Sequence, residues 1–95
     1  MKITTKKWDA SQYLDSPEMI QEYLTAALEE GGPELLTAAI GDVAKAKGMT
    51  EIAKATHLNR QHLYRALSAK GSPKFETIVK VLQALDCQIT IKKTG

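Results

Sequence analysis

The sequence contains little of what secreted and membrane proteins require. It has a single cysteine, Cys87, which cannot form an intramolecular disulfide. No apolar run approaches the roughly 18 residues of a membrane-spanning helix. No apolar stretch follows the N-terminal lysines, as it would in a secretory signal. These absences favour a cytoplasmic protein with no membrane partner.

The sequence also lacks the residue patterns of an active site. It contains no glycine-rich phosphate loop and no serine or cysteine with a nearby base, and its carboxylates are scattered. His57, His62 and the distant Cys87 do not have the spacing of a four-ligand zinc site. We therefore expect no enzyme activity, no cofactor and no metal.

Length and composition indicate one folded domain covering residues 1–95. The chain is 43% hydrophobic and 25% charged, which is close to the average for globular domains. A domain of this size has a small core and exposes apolar surface. Because a second copy often covers such surface, we expect a homodimer.

The net charge of +2 is unevenly distributed along the chain. Residues 48–75 contain five lysines and arginines against one carboxylate, a balance that attracts phosphate. Residues 1–30 contain three lysines and six carboxylates. These carboxylates are either ordinary solvated surface or a surface for a basic protein partner. They are Asp9, Asp15, Glu18, Glu22, Glu29 and Glu30.

The pattern of residues 15–47 predicts two amphipathic helices. Ser16 can cap the first helix, and Pro17 fits its first position. Gly31-Gly32 stops this helix, and the second helix runs from about Pro33 to Lys47 before Gly48. The predicted apolar face of the first helix consists of Ile20, Tyr23, Leu24, Ala27 and Leu28.

Shorter elements are predicted in the rest of the chain. Two short helices cover about 50–56 and 59–68, and a last helix covers about 75–86. Its apolar face consists of Phe75, Ile78, Val79, Leu82 and Leu85. Residues 1–13 fit a short strand or an extended arm, and the alternation over 87–92 predicts a strand. That strand must pair either with the N-terminal segment or with the tail of a second subunit.

Residues 49–68 fit a helix-turn-helix motif. Ala53 is small where the two helices approach closely, Leu58 can anchor the turn, and Asn59 can cap the second helix. His57 occupies a turn position that requires a positive φ and usually holds glycine, so we expect some strain there. The buried faces are predicted to consist of Ile52, Leu63, Ala66 and Leu67.

The second helix of the motif leaves polar side chains facing outward, and these form the predicted DNA-binding set. Arginine pairs with guanine and glutamine with adenine in the major groove, whereas lysines more often contact phosphates. The alternative is an ordinary solvated helix face, and Tyr64 can either pack under the helix or touch a phosphate. The set consists of Asn59, Arg60, Gln61, Tyr64, Arg65, Lys54 and Lys70, with Lys74 as a further phosphate contact.

The motif resembles the lambda-repressor-like (XRE-type) helix-turn-helix of phage and plasmid regulators. The stretch GMTEIAKATHLNRQHLYRALS followed by GSPKFETIVKVLQAL, together with residues 8–48, is similar to the small addiction-module antidote proteins. That resemblance implies an antitoxin that neutralises a small basic toxin, typically a RelE-like ribonuclease. It also implies that the antitoxin represses its own operon as a DNA-bound dimer.

These patterns together predict an all-α, lambda-repressor-like domain of five helices, with a helix-turn-helix and a short C-terminal β-strand. A dimer would place its two recognition helices about 34 Å apart, in successive major grooves of a near-palindromic operator on double-stranded DNA. The alternatives are a stand-alone phage-type repressor without a toxin and a helical protein-interaction module that does not bind DNA.

Overall fold

The computed structural model describes residues 16–68 and 70–94, and the regular structure in this part of the chain is helical. The all-α class is therefore confirmed for these residues, whereas the arm or strand predicted at 1–13 lies outside them. The helices are α1 (Pro17–Lys47), α2 (Met49–Thr56), α3 (Arg60–Ala66) and α4 (Phe75–Ala84).

Helix α1 is a helical hairpin rather than a straight rod. The Tyr23 hydroxyl donates a hydrogen bond to Asp42 Oδ2 over 3.2 Å, although these residues would lie roughly 28 Å apart along a straight helix. The chain reverses at Gly32, whose φ of 72° and ψ of −160° are not helical. The two limbs, 17–31 and 33–47, match the two predicted helices. Because the one-residue interruption leaves the limbs joined, residues 16–68 and 70–94 form four helices, and the predicted count of five is not supported.

Local capping determines where α1 begins and ends. Ser16 Oγ accepts a hydrogen bond from the Met19 amide, and Pro17 is the first helical residue. At the other end, Gly48 has a φ of 110°, and its amide donates to the carbonyl oxygens of Ala44 and Lys45. Both predicted boundaries are confirmed.

The hydrophobic core joins both limbs of α1 to the C-terminal helices. Gly41 marks a close contact, because a Cβ at this position would lie 2.3 Å from the backbone oxygen of Leu67, just after α3. The second limb of α1 therefore packs directly against the end of α3. The largest fully buried side chains are Ile20, Ile40, Val43, Leu63, Val81 and Leu85.

Two residues predicted to face the core are exposed instead. Leu28 is 47% exposed and Phe75 is 70% exposed. In α4 the buried face includes Thr77, Val81 and Leu82, so Phe75 lies to one side of it. Helical spacing identifies a face of a helix, but it does not show how far neighbouring elements extend along that face.

The C-terminal tail does not form the predicted strand. Helix α4 ends at Ala84, two residues earlier than predicted, and Asp86 adopts a left-handed conformation with a φ of 62°. The Cys87 amide donates to the Leu82 oxygen and the Asp86 amide to the Gln83 oxygen, which is a Schellman ending. The strand at 87–92 is wrong for this structure, because a strand requires a partner and the described residues provide none.

Candidate nucleic-acid interface

Helices α2 and α3 are joined by a short turn that begins at His57. Its φ of 61° and ψ of 32° are left-handed, so the predicted positive φ is confirmed. The Leu58 amide donates to the Ala53 oxygen over 3.1 Å, and the His57 amide donates to the Lys54 oxygen over 3.4 Å. This is the same Schellman ending as in α4, and half-buried Leu58 packs against the core.

The start of α3 is fixed by Asn59, whose side chain accepts a hydrogen bond from the His62 amide over 3.0 Å. The predicted cap is confirmed, so the Asn59 side-chain oxygen is already engaged in positioning the helix. Helix α3 ends at Ala66, two residues earlier than predicted. There, the Ser68 hydroxyl donates to the Arg65 oxygen over 2.9 Å. Leu63, Ala66 and Leu67 are buried as predicted.

The outward face of α3 has the predicted composition. Arg60, Gln61, Tyr64 and Arg65 are all exposed, and so is Lys54 in the last turn of α2. Arg60 and Gln61 are the first two residues of α3. These predicted side chains are therefore accessible around α3.

Arg60 is held by a contact with α2. One of its guanidinium nitrogens, Nη1, donates a hydrogen bond to the Thr50 hydroxyl over 3.0 Å. Lys54 and His57 line the same shallow depression as Arg60 and Thr50. The structure thus brings two predicted site residues, Lys54 and Arg60, together on one side of α3.

Tyr64 is partly exposed, at 45%, and does not pack beneath the helix. The Nζ atom of Lys45, in the last turn of α1, lies 5.9 Å from the centre of its ring, within the range of a cation–π contact. Lys45 was not among the predicted site residues. No sequence signal could have identified it, because its position depends on how α1 packs beside α3.

Arg65 lies on the other side of α3 and lines a groove between α3 and the start of α4. Further basic side chains, Lys74 and Lys80, line this groove together with His62. Lys80 also pairs with Glu76 over 3.4 Å. Lys70 is exposed in the connection before α4 and lines neither depression.

Charge is divided sharply between two parts of the chain. Residues 16–44, which we call the acidic hairpin, contain six carboxylates and no lysine, arginine or histidine. Residues 45–80, which we call the basic segment, contain eight lysines and arginines against two glutamates. A polyanion is therefore attracted to the surface around α3 and repelled by the hairpin.

Neither a cluster of metal-binding side chains nor a membrane-spanning helix occurs among residues 16–68 and 70–94. These residues include no group of three or more His, Cys, Asp or Glu side chains that could hold a metal ion. None of the helices described combines the length and apolar character needed to cross a membrane.

The sequence model of a family described as "Probable addiction module antidote protein" matches residues 4–93. The chain belongs to this family. The antidote-family resemblance of the sequence is therefore confirmed, and the match includes both the acidic hairpin and the basic segment. The family description names an antidote, which implies a toxin as its counterpart.

A relative of this antidote-family chain occurs in Haemophilus influenzae, where it is described as "Uncharacterized protein". The two chains are 40% identical over 89 residues, which cover 94% of this chain and 92% of the relative. No solved structure matches the antidote-family chain. The XRE-type assignment of its helix-turn-helix therefore remains a prediction.

Proposed function

We propose that this antidote-family protein is the antitoxin of a type II toxin–antitoxin module and represses its own operon by binding DNA. The observation that carries the proposal is the geometry of α2, the turn at His57 and α3. A left-handed turn and the Asn59 cap fix a short helix whose exposed face presents arginine and glutamine. Both side chains can pair with base edges in the major groove.

The contacts around α3 support separate roles for its side chains. In the proposal, Arg60 and Gln61 read bases, while Lys54 and Lys70 contact phosphates. The hydrogen bond from Arg60 to Thr50 holds the guanidinium before DNA arrives, which reduces the ordering cost of binding. The proposal of a lambda-repressor-like fold rests on the resemblance of the helix-turn-helix sequence alone.

We propose further that the protein binds a near-palindromic operator as a homodimer in the cytoplasm. In the tail, Gln88, Thr90 and Lys92 line a depression beside the first limb of α1, whereas Ile91 is 92% exposed. A tail that turns apolar side chains outward favours pairing with a second tail. Truncation after Asp86 should therefore yield a monomer in sedimentation experiments, and a truncated protein that remains dimeric would contradict this interface.

A gel-shift experiment with the DNA upstream of the protein's own gene tests DNA binding. The protein should bind this DNA in preference to a shuffled sequence, and binding should weaken steeply as salt is raised, because bound phosphates release counterions. Equal affinity for both sequences, or no dependence on salt, would favour the protein-interaction module instead.

The same experiment, repeated with the product of the neighbouring gene, tests the antitoxin role. We propose that the neighbouring gene encodes a small basic toxin, of RelE-like type, which binds this protein and alters its operator complex. A stand-alone repressor would shift the DNA identically with and without that product.

A further inference from the structure

A small apolar groove runs between the two limbs of the acidic hairpin and shares no lining residue with the two depressions beside α3. Its volume is about 160 Å³, well below the roughly 300 Å³ at which small-molecule sites begin. Four alanines line it, two from each limb, and Leu35 adds a further apolar wall. The alanines are Ala26, Ala27, Ala38 and Ala39. The size and lining suit one side chain with an apolar stem.

The groove also has a carboxylate on each limb, Glu30 on the first and Asp42 on the second. Asp42 accepts the hydrogen bond from Tyr23. Glu30 is exposed and forms no hydrogen bond or ion pair with another described residue. Because the acidic hairpin contains no cationic side chain, the charge of the groove is not neutralised from within the hairpin.

We propose that this groove binds a lysine or arginine side chain of a basic protein partner. The aliphatic stem lies along the alanines, and the cationic group reaches Glu30, as long basic side chains do when they bury their stems and keep their charges at a polar edge. Exposed Leu28 and Leu35 flank the bend of the hairpin and add apolar contact. This inference rests on the proposed antitoxin function, for which the partner is the toxin.

Charge decides between the possible occupants. A nucleic acid would be repelled by six carboxylates. A second copy docked symmetrically through the same surface would set one acidic hairpin against another, and like charges across an interface are unfavourable. A protein with a basic surface can place an aliphatic stem in the apolar groove and a positive charge at its acidic edge.

The test uses the full chain and the product of the neighbouring gene, proposed above to be a small basic toxin, with the dissociation constant measured by calorimetry at physiological salt. Ala26→Leu fills the groove without changing charge, and Ala26 is exposed, so the core is not disturbed. Glu30→Lys reverses the charge at its edge. We expect losses in affinity of about 30-fold for Ala26→Leu and at least about tenfold for Glu30→Lys.

Two matched controls separate the groove from general effects. Ala55→Leu adds the same side chain at an exposed alanine of α2, and Glu18→Lys makes the same charge change at an exposed site of the first limb. Neither residue lines the groove, so we expect changes within about threefold, as for ordinary surface positions. All variants should bind the operator as the wild type does, which shows that they are folded. If Ala26→Leu fails this check, Glu30→Lys decides alone.

The outcomes distinguish the groove from the antitoxin role. If the wild type binds the neighbouring protein and both groove variants bind it as tightly, the groove proposal is overturned while the antitoxin role stands. If the wild type does not bind that protein, the antitoxin role fails and the groove proposal falls with it. Losses confined to Ala26→Leu and Glu30→Lys support both.

Discussion

The acidic hairpin and the basic segment differ in charge, yet they share one hydrophobic core. One contains six carboxylates and no cation, whereas the other contains eight cations and two carboxylates. Opposite charges in a chain of 95 residues give two surfaces that attract molecules of opposite sign. Under the proposed function, this division lets one small protein bind a basic protein and DNA without competition for one site.

The two regions also reverse the chain in different ways. The hairpin turns at a single residue, Gly32, in a conformation that only glycine adopts readily. The helix-turn-helix turns over His57, Leu58 and Asn59, with two backbone hydrogen bonds and a side-chain cap. The first reversal therefore depends on one backbone conformation, whereas the second depends on several hydrogen bonds.

The largest expected effect lies where the two regions meet. Gly41→Ala introduces a Cβ 2.3 Å from the Leu67 backbone oxygen, which must displace α1 from α3. Overpacking of this kind lowers the free energy of unfolding by about 1–3 kcal/mol. Because the clashing atom belongs to the backbone, we expect a loss near the upper end of this range. Urea unfolding and operator gel shifts should both show the loss. Unchanged stability would mean that the hairpin and the basic segment are not tightly joined at this contact.

The next effect concerns the basic segment alone. Arg60→Ala should cost about 1–3 kcal/mol of operator binding and relax base preference, because a base contact is lost. Lys70→Ala should weaken all DNA sequences alike and flatten the salt dependence, as expected for a phosphate contact. Gel shifts on operator and shuffled DNA measure both. If Arg60→Ala binds its operator unchanged at physiological salt, the proposed base-reading role of Arg60 is wrong.

The elements that were predicted from sequence are those that local chemistry determines. The starts and ends at Ser16, Gly48 and Asn59 depend on hydrogen bonds to residues within four positions, so the residue types reveal them. The left-handed turn at His57 was predicted for the same reason. Such features need no knowledge of the rest of the fold.

The features that were missed depend on distant parts of the chain. The contact of Lys45 with Tyr64 and the groove between the limbs of α1 exist only because helices pack together. The strand predicted at 87–92 does not form in this single chain, because alternation indicates a side-chain pattern, whereas a strand also requires a partner for its backbone.

Substitutions at Gly32 and His57 test whether the two turns depend on different interactions. A Cβ at Gly32 meets nothing within 4 Å, so Gly32→Ala adds only backbone strain, at a cost of about 1–3 kcal/mol. His57→Gly removes strain at a φ of 61°, but glycine also has more freedom in the unfolded chain. Because these effects oppose each other, we expect the free energy of unfolding to rise by only about 0–1 kcal/mol. Thermal unfolding of both variants measures this. A clear drop in melting temperature for His57→Gly would contradict the role given to that turn.

The smallest expected effect concerns the hydrogen bond that joins the limbs of the hairpin. Burial, the negative charge of Asp42 and their hydrogen bond raise the pKa of Tyr23 from 10.0 to about 12. Because the folded state keeps the proton longer than the unfolded state, this group contributes stability that is complete below about pH 10 and is lost between about pH 10 and 12. The Tyr23→Phe variant lacks this pH dependence of stability. The other titratable groups are the same in the variant and the wild type. Urea unfolding from pH 9 to 12 should therefore show a steeper loss for the wild type, and parallel curves would mean that Tyr23 and Asp42 do not hold the limbs together in solution.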